Sequence, residues 1–122
     1  MSIKDFLKPE KEFRFTGIIR IESQDDRFFG PGRLQLLKNI IETGSISQAA
    51  KQMGMSYKKA WDMVSSMNQQ TVKPIVNTQT GGEKGGGTVV TDEGKQLIAA
   101  FKKLHDEFQN SLDEKIKEFL NY

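Results

Sequence analysis

The chain has 122 residues and a formal net charge of +2 at pH 7, which suits one domain with a modest core and is too small a total for general attraction to polyanions. It has no cysteine and a single histidine, His105, which excludes disulfides, thiolate metal sites and cysteine nucleophiles and leaves no acid–base set for an enzyme mechanism, so neither metal nor cofactor is expected. The opening residues lack the apolar stretch of a signal peptide and no later run is long enough to span a bilayer, so the expectation is a soluble, cytoplasmic protein with no membrane partner.

Residues 1–11 read as a flexible arm in which Pro9 limits any helix. In residues 12–30, Phe13, Phe15, Ile19 and Ile21 alternate with Arg14, Thr16, Ile18 and Arg20, the two-residue repeat of a strand buried on one face. Ser23-Gln24-Asp25-Asp26 then reads as a turn and Arg27-Phe28-Phe29 as a returning strand, which predicts a small β-hairpin. Gly30-Pro31-Gly32 opens a helix, because proline fits a first turn whose N–H has no partner. Leu34, Leu36, Leu37, Ile40 and Ile41 supply its apolar face, and Gly44 ends it.

Ser45-Ile46-Ser47-Gln48 has the spacing of a capping box. The short helix it starts carries Ile46, Ala49, Ala50 and Met53 on one face, and Gly54 stops it, with Met55 as an apolar plug before the next helix. Ser56 caps that helix, in which Ala60, Trp61, Val64 and Met67 form a stripe and Lys58, Lys59, Asp62, Ser65, Ser66 and Gln69 lie elsewhere. Trp61, sharing the stripe, reads as core. Two lysines in a first helical turn oppose the helix dipole, at a cost of a few tenths of a kcal/mol up to about 1 kcal/mol each. A local choice against stability marks a functional site, and this turn suits a phosphate or a base edge. From Gly44 to Val90, five lysines face two acids, so the positive charge gathers around this helix-turn-helix.

Ile75-Val76 and Val89-Val90 are β-prone pieces on either side of the glycine-rich run Gly81 to Gly87. Counting on from Gly82 and Gly87, a phosphate-binding P-loop would need lysine where Thr88 stands. A wing hairpin over 74–91, carrying Lys84 at its tip, accounts for the run better. Thr91-Asp92-Glu93 starts a last helix over 92–121, with Gly94 in place of the Glu or Gln of a full capping box. Its apolar series, Leu97, Ile98, Phe101, Leu104, Phe108, Leu112, Ile116, Phe119 and Leu120, is helical throughout and would run for roughly 43 Å. Such a stripe needs a cover, and the same helix of a second copy is the expected one, which makes Leu97, Phe101, Leu104, Phe108 and Leu112 the expected dimerisation residues; the alternative is that the C-terminal end folds back on its own domain. His105 beside it reads as packing.

The predicted fold is mainly α with small β elements: a winged helix-turn-helix with an N-terminal β-hairpin, a three-helix core over 31–70, and a long C-terminal dimerisation helix, all within one domain. The order of residues resembles the N-terminal winged helix-turn-helix of the ModE molybdate-responsive regulators, a relative of the LysR-type DNA-binding domain. Gly32-Arg33, Gly44-Ser45-Ile46-Ser47-Gln48-Ala49-Ala50, Met55-Ser56-Tyr57-Lys58-Lys59-Ala60-Trp61, Met67-Asn68, Pro74-Ile75-Val76, the glycines of the wing, and Thr91 with Gly94 carry the resemblance. It implies a dimer on double-stranded operator DNA, held by the helix that begins at Ser56, with the wing and its Gly82 near the backbone. Two departures stand out. The family's wing arginine is absent near Asn77-Thr78-Gln79, and its molybdate-binding domains find no room in these 122 residues, so a single-domain form is expected.

On chemical grounds Tyr57, Lys58, Lys59 and Asp62 lie nearest the bases, and Ser65 and Gln69 farther along. Ser45, Ser47, Gln48 and Lys84 suit phosphates, which fix orientation but read no sequence. The function expected is a homodimeric, sequence-specific transcriptional regulator on a palindromic site. The alternative is a winged-helix protein-interaction module without specific DNA binding, favoured by the missing arginine and small net charge.

Overall fold

The computed structural model describes residues 1–79 and 87–122. In chain order it contains β1 (Ile21–Glu22), β2 (Arg27–Phe29), α1 (Pro31–Thr43), α2 (Ile46–Gln52), α3 (Tyr57–Gln69), β3 (Val76–Gln79), β4 (Gly87–Val90) and α4 (Asp92–Leu120). Contacts divide the chain into two compact units, one made of Ile19–Ala100 and the other of Met1–Ile18 with Phe101–Tyr122. Among the described residues no helix is long and apolar enough to cross a membrane.

The first unit holds the helix-turn-helix and wing. Leu36, Leu37 and Ile40 of α1, Ile46, Ala49 and Ala50 of α2, and Ala60, Val64 and Met67 of α3 are all buried. Each set sits at three- and four-residue spacing, so each helix turns a single stripe inward. Both predicted glycine stops adopt left-handed backbone, Gly44 at φ 69° and Gly54 at φ 65°, where a Cβ would be strained. Phe29 and the wing-root residues Ile75, Val76 and Val90 complete this core. The wing strands pair antiparallel with Val76 opposite Val90 and Gln79 opposite Gly87. The tip between them, including the expected contacts Gly82 and Lys84, lies outside the described residues.

Two apolar readings need correction here. Ile41, placed on the inner face of α1, is exposed; the buried face instead includes Asn39, whose Oδ1 accepts a 2.8 Å bond from Gln35 Nε2. Hydropathy alone could not place Ile41 outside, since a helix edge is decided by what packs there. The N-terminal hairpin is also far shorter than predicted: β1 pairs with β2 only through Ile21–Phe29 and Glu22–Arg27, with an irregularity between the pairs. The return strand has three residues before Gly30-Pro31 turn the chain into α1, so residues 13–20 find no ladder partner. Their alternation survives as alternating exposure from Phe15 to Ile21, but Phe13 is exposed.

The second unit explains where that segment goes. Gly17 lies so close to α4 that a Cβ built on it would meet Phe108 Cζ at 2.9 Å and Leu112 Cδ1 at 3.6 Å. The Phe15 ring meets the Phe119 ring edge-on with centroids 5.4 Å apart, and Gln109 Nε2 donates a 3.2 Å bond to the Phe15 carbonyl. The chain's own extended segment thus covers part of the C-terminal stripe. The N-terminal arm is not wholly irregular: Ile3–Asp5 form a 3-10 turn, with Asp5 Oδ2 accepting from the Ser2 N–H at 2.9 Å and from the Ser2 hydroxyl at 3.0 Å.

Candidate nucleic-acid interface

Local capping chemistry positions the helix-turn-helix. Ser45 Oγ accepts from the Gln48 N–H at 3.1 Å and starts α2. The return half of the predicted capping box is not made, because the Ser45 N–H donates to Thr43 Oγ1 at 3.2 Å instead. The Gln48 side chain therefore keeps its amide for an outside partner, beside exposed Ser47, while Ser45 is half-buried in its cap. At the next turn Ser56 Oγ accepts from the Lys59 N–H at 3.1 Å and starts α3.

With Ala60, Val64 and Met67 turned inward, α3 presents Tyr57, Lys58, Lys59, Asp62 and Gln69 to solvent, and Ser65 is half-buried. Lys58 Nζ donates to Asp62 Oδ2 at 2.9 Å, one helical turn on. That bond, with the attraction of the carboxylate, raises the Lys58 pKa. The pair sets a donor and an acceptor side by side.

Trp61 departs from the sequence reading. It is 42% exposed and stacks on Tyr57, itself 54% exposed, with ring centroids 6.3 Å apart and planes 23° from parallel. The inward stripe of α3 runs through positions 60, 64 and 67, and position 61 lies about 100° around the helix from 60, toward 57. A bulky apolar residue beside a stripe looks like part of it until the stripe is full.

The back of α3 is fastened to its unit by two polar clusters that sequence reasoning missed. In the first, Ser66 Oγ donates to Asp26 Oδ2 at 2.6 Å, and Gln70 Nε2 donates to the Arg27 carbonyl at 2.9 Å. Ser23 Oγ donates to Gln70 Oε1 at 2.6 Å, and Arg33 Nη1 reaches the Phe28 carbonyl and Ser66 Oγ, each at 3.1 Å. Bonds from Ser66 Oγ and the Arg27 N–H, with Arg33 3.9 Å away, hold the Asp26 carboxyl below its ordinary pKa. The short hairpin is thereby a clasp on the C-terminal half of α3.

In the second cluster Asn68 Oδ1 accepts from the Ile75 N–H at 2.9 Å and the Val76 N–H at 3.2 Å, while Nδ2 donates to the Val76 carbonyl at 2.9 Å. One side chain thus welds the wing root to α3. Gly94 completes the joint, since a Cβ there would sit 2.5 Å from the Ile75 carbonyl oxygen and 2.7 Å from Val90 Cγ1. Gly94 N–H still donates to Thr91 Oγ1 at 3.1 Å, so the helix keeps its cap. Asn68 was visible only as a member of the family pattern, and Gly94 only there and as a weak cap; the clasp pairs, such as Asp26 with Ser66 and Ser23 with Gln70, lie 40 and 47 positions apart and carried no local signal. Among the described residues no group of three or more His, Asp or Glu side chains could hold a metal ion.

A short helix, a tight turn, a capped second helix with a cationic first turn and a two-stranded wing define a winged helix-turn-helix of the kind bacterial regulators use. The sequence matches the bacterial regulatory helix-turn-helix proteins of the lysR family over residues 31–95, more than half of the chain, and the chain belongs to that family. It is 37% identical over 108 residues to the molybdenum transport protein ModE of Azotobacter vinelandii, an alignment covering 88% of this chain and 40% of that protein. It is 42% identical over 96 residues to the DNA-binding transcriptional dual regulator ModE of Escherichia coli K12, covering 79% of this chain and 37% of that one. The molybdenum-pterin-binding protein MopB of Rhodobacter capsulatus is 45% identical over 91 residues, 69% of this chain and 34% of its own. The chain thus spans well under half the length of these relatives, and the matched part contains the helix-turn-helix.

Proposed function

We propose that this protein is a sequence-specific DNA-binding transcriptional regulator that acts as a homodimer on a two-fold symmetric operator. The observation that carries the reading is the solvent-facing first turn of α3, where Lys58 and Lys59 stand clear of a helix whose opposite face is fully packed. In such a fold the N-terminal part of the second helix enters the major groove. There Lys58 donates to a guanine edge and Asp62 accepts from the paired cytosine, their ion pair exchanging for base contacts. Ser47 and Gln48 at the start of α2 suit phosphates of the flanking backbone, Ser45 being largely spent as a cap, and Lys84 of the wing a further one. With Phe101 buried and Phe108 and Leu112 packed on Gly17 in the same chain, dimerisation is assigned to the part of the α4 stripe that stays exposed, around Leu104, and gives half-sites about one helical turn apart.

Selection of bound duplexes from a random pool at two salt concentrations tests the reading. A two-fold symmetric motif, with affinity falling as salt rises, is the expected result, because each phosphate contact releases counterions. Lys58→Ala and Lys59→Ala should each weaken binding to the selected duplex roughly tenfold while leaving the thermal unfolding transition in place. Retention without any motif, or unchanged affinity in both variants, would overturn the assignment of α3 and favour a protein-interaction role. The names of the Azotobacter vinelandii and Rhodobacter capsulatus relatives mention molybdenum, so molybdate added to the same assay is the first effector to try.

A further inference from the structure

The folding of α3 leaves one apolar row unused. Its buried stripe is complete with Ala60, Val64 and Met67, yet Tyr57 and Trp61 stand beside it, stacked and about half exposed. The stack matters because each ring restrains the other, so the flat surface they share is already ordered before any partner arrives. One residue farther round lies the polar row Lys58–Asp62, also tied together across one helical turn, and Lys59 is exposed next to it. The apolar surface is therefore bordered on its open side by the Lys58–Asp62 ion pair, with the Lys59 ammonium farther round the helix, and a donor–acceptor pair of this kind matches base edges and not an ordinary apolar protein face. Duplex DNA carries one prominent apolar group in its major groove, the C5-methyl of thymine.

We infer that the Tyr57–Trp61 pair packs against a thymine methyl group, making Trp61 a specificity-determining residue; the inference rests on the DNA-binding reading above. The thymine belongs to the base pair neighbouring the one contacted by Lys58 and Asp62, since the two rows lie one residue apart along α3. Sequence is then read in two chemistries at once, hydrogen bonding from one row and methyl burial from the other.

The duplex recovered with highest affinity from the random pool is remade with each thymine of one half-site replaced in turn by deoxyuridine, which removes the methyl and keeps every hydrogen-bonding group. One replacement is expected to weaken binding of the full chain about fourfold, the worth of one buried methyl. Trp61→Ala should weaken the parent duplex by at least that factor and erase the difference between thymine and deoxyuridine at that position. As the chain's single tryptophan, Trp61 also reports directly, and its emission should shift to shorter wavelength on binding the parent duplex. A specific duplex indifferent to every methyl removal overturns this inference and leaves the DNA-binding reading standing. So does a Trp61→Ala protein that binds all duplexes more weakly but still distinguishes thymine from deoxyuridine, which would place the ring on the sugar-phosphate backbone. Failure to recover any specific duplex overturns both. The deoxyuridine series uses unaltered protein, so a destabilised variant cannot decide the outcome.

Discussion

The two compact units solve the problem of burial differently. Every buried hydrophobic residue described except Phe101 belongs to Ile19–Ala100, where three helices and a wing root close around one core. In the other unit, an extended segment laid on a helix has too few layers to enclose anything. It leaves Phe6, Phe13, Ile18, Leu104 and Phe119 exposed, although Phe15, Gly17 and Phe108 make good contacts there. A unit with so little chain is below the size at which a core supports itself without disulfides, metal or a second copy. The first unit thus closes around its own core, while the second leaves apolar surface open to a partner. The proposed dimer supplies that partner.

The contrast breaks most sharply if the first unit tolerates a hole. Leu36→Ala, at a site with no exposure, should cost about 2–5 kcal/mol in urea or guanidinium unfolding, because a packed core relaxes only partly around a cavity. A loss below 1 kcal/mol, on the order of a surface change, would mean that the core is not close-packed. The joint between wing root and α4 comes next. Gly94→Ala places a methyl against the Ile75 carbonyl, and backbone cannot yield as a side chain would, so about 1–3 kcal/mol should be lost.

A change in the second unit should act on assembly instead. Leu104 is 43% exposed, so Leu104→Asp should leave the unfolding of the first unit unchanged and raise the dimer dissociation constant about tenfold or more in sedimentation equilibrium. An unaltered dimer would place the interface elsewhere. The smallest effect concerns the clasp. The Asp26 pKa lies below its ordinary 3.8 in the fold, so Asp26 stabilises above that pH and the contribution disappears as pH falls through the lower, folded value. Asp26→Asn should flatten this acid limb in denaturation measured from about pH 5 to about pH 2; an identical pH profile would mean that Ser66 and Arg27 do not favour the charged form.

What sequence settled, it settled through short-range chemistry. Gly44 and Gly54 stop helices because only a residue without Cβ takes left-handed backbone cheaply. Ser45 and Ser56 start helices because their hydroxyls satisfy N–H groups three residues on. These signals, with the periodic stripes of α1, α2 and α3, fix the helix-turn-helix and put Lys58, Lys59 and Asp62 on its open side. The wing strands were legible from β-prone pairs on either side of a glycine run, and the length of α4 from its unbroken apolar series.

Tertiary structure alone decided the rest, because it depends on which surface meets which across the fold. Whether Ile41 or Asn39 is buried is set by what lies against α1. Residues 13–20 have the alternation of a strand, but a strand needs a ladder partner, and β2 is too short to give them one. Gly94 looks like a poor cap in sequence and proves to be the place where α4 meets the Ile75 carbonyl. The clasp of Ser23, Asp26, Arg33, Ser66 and Gln70 joins positions as many as 47 apart, beyond any local pattern. Trp61 turned outward because three smaller residues had already filled the face it would have shared. Periodicity along a chain tells which way a residue points, but only packing density tells whether there is room for it.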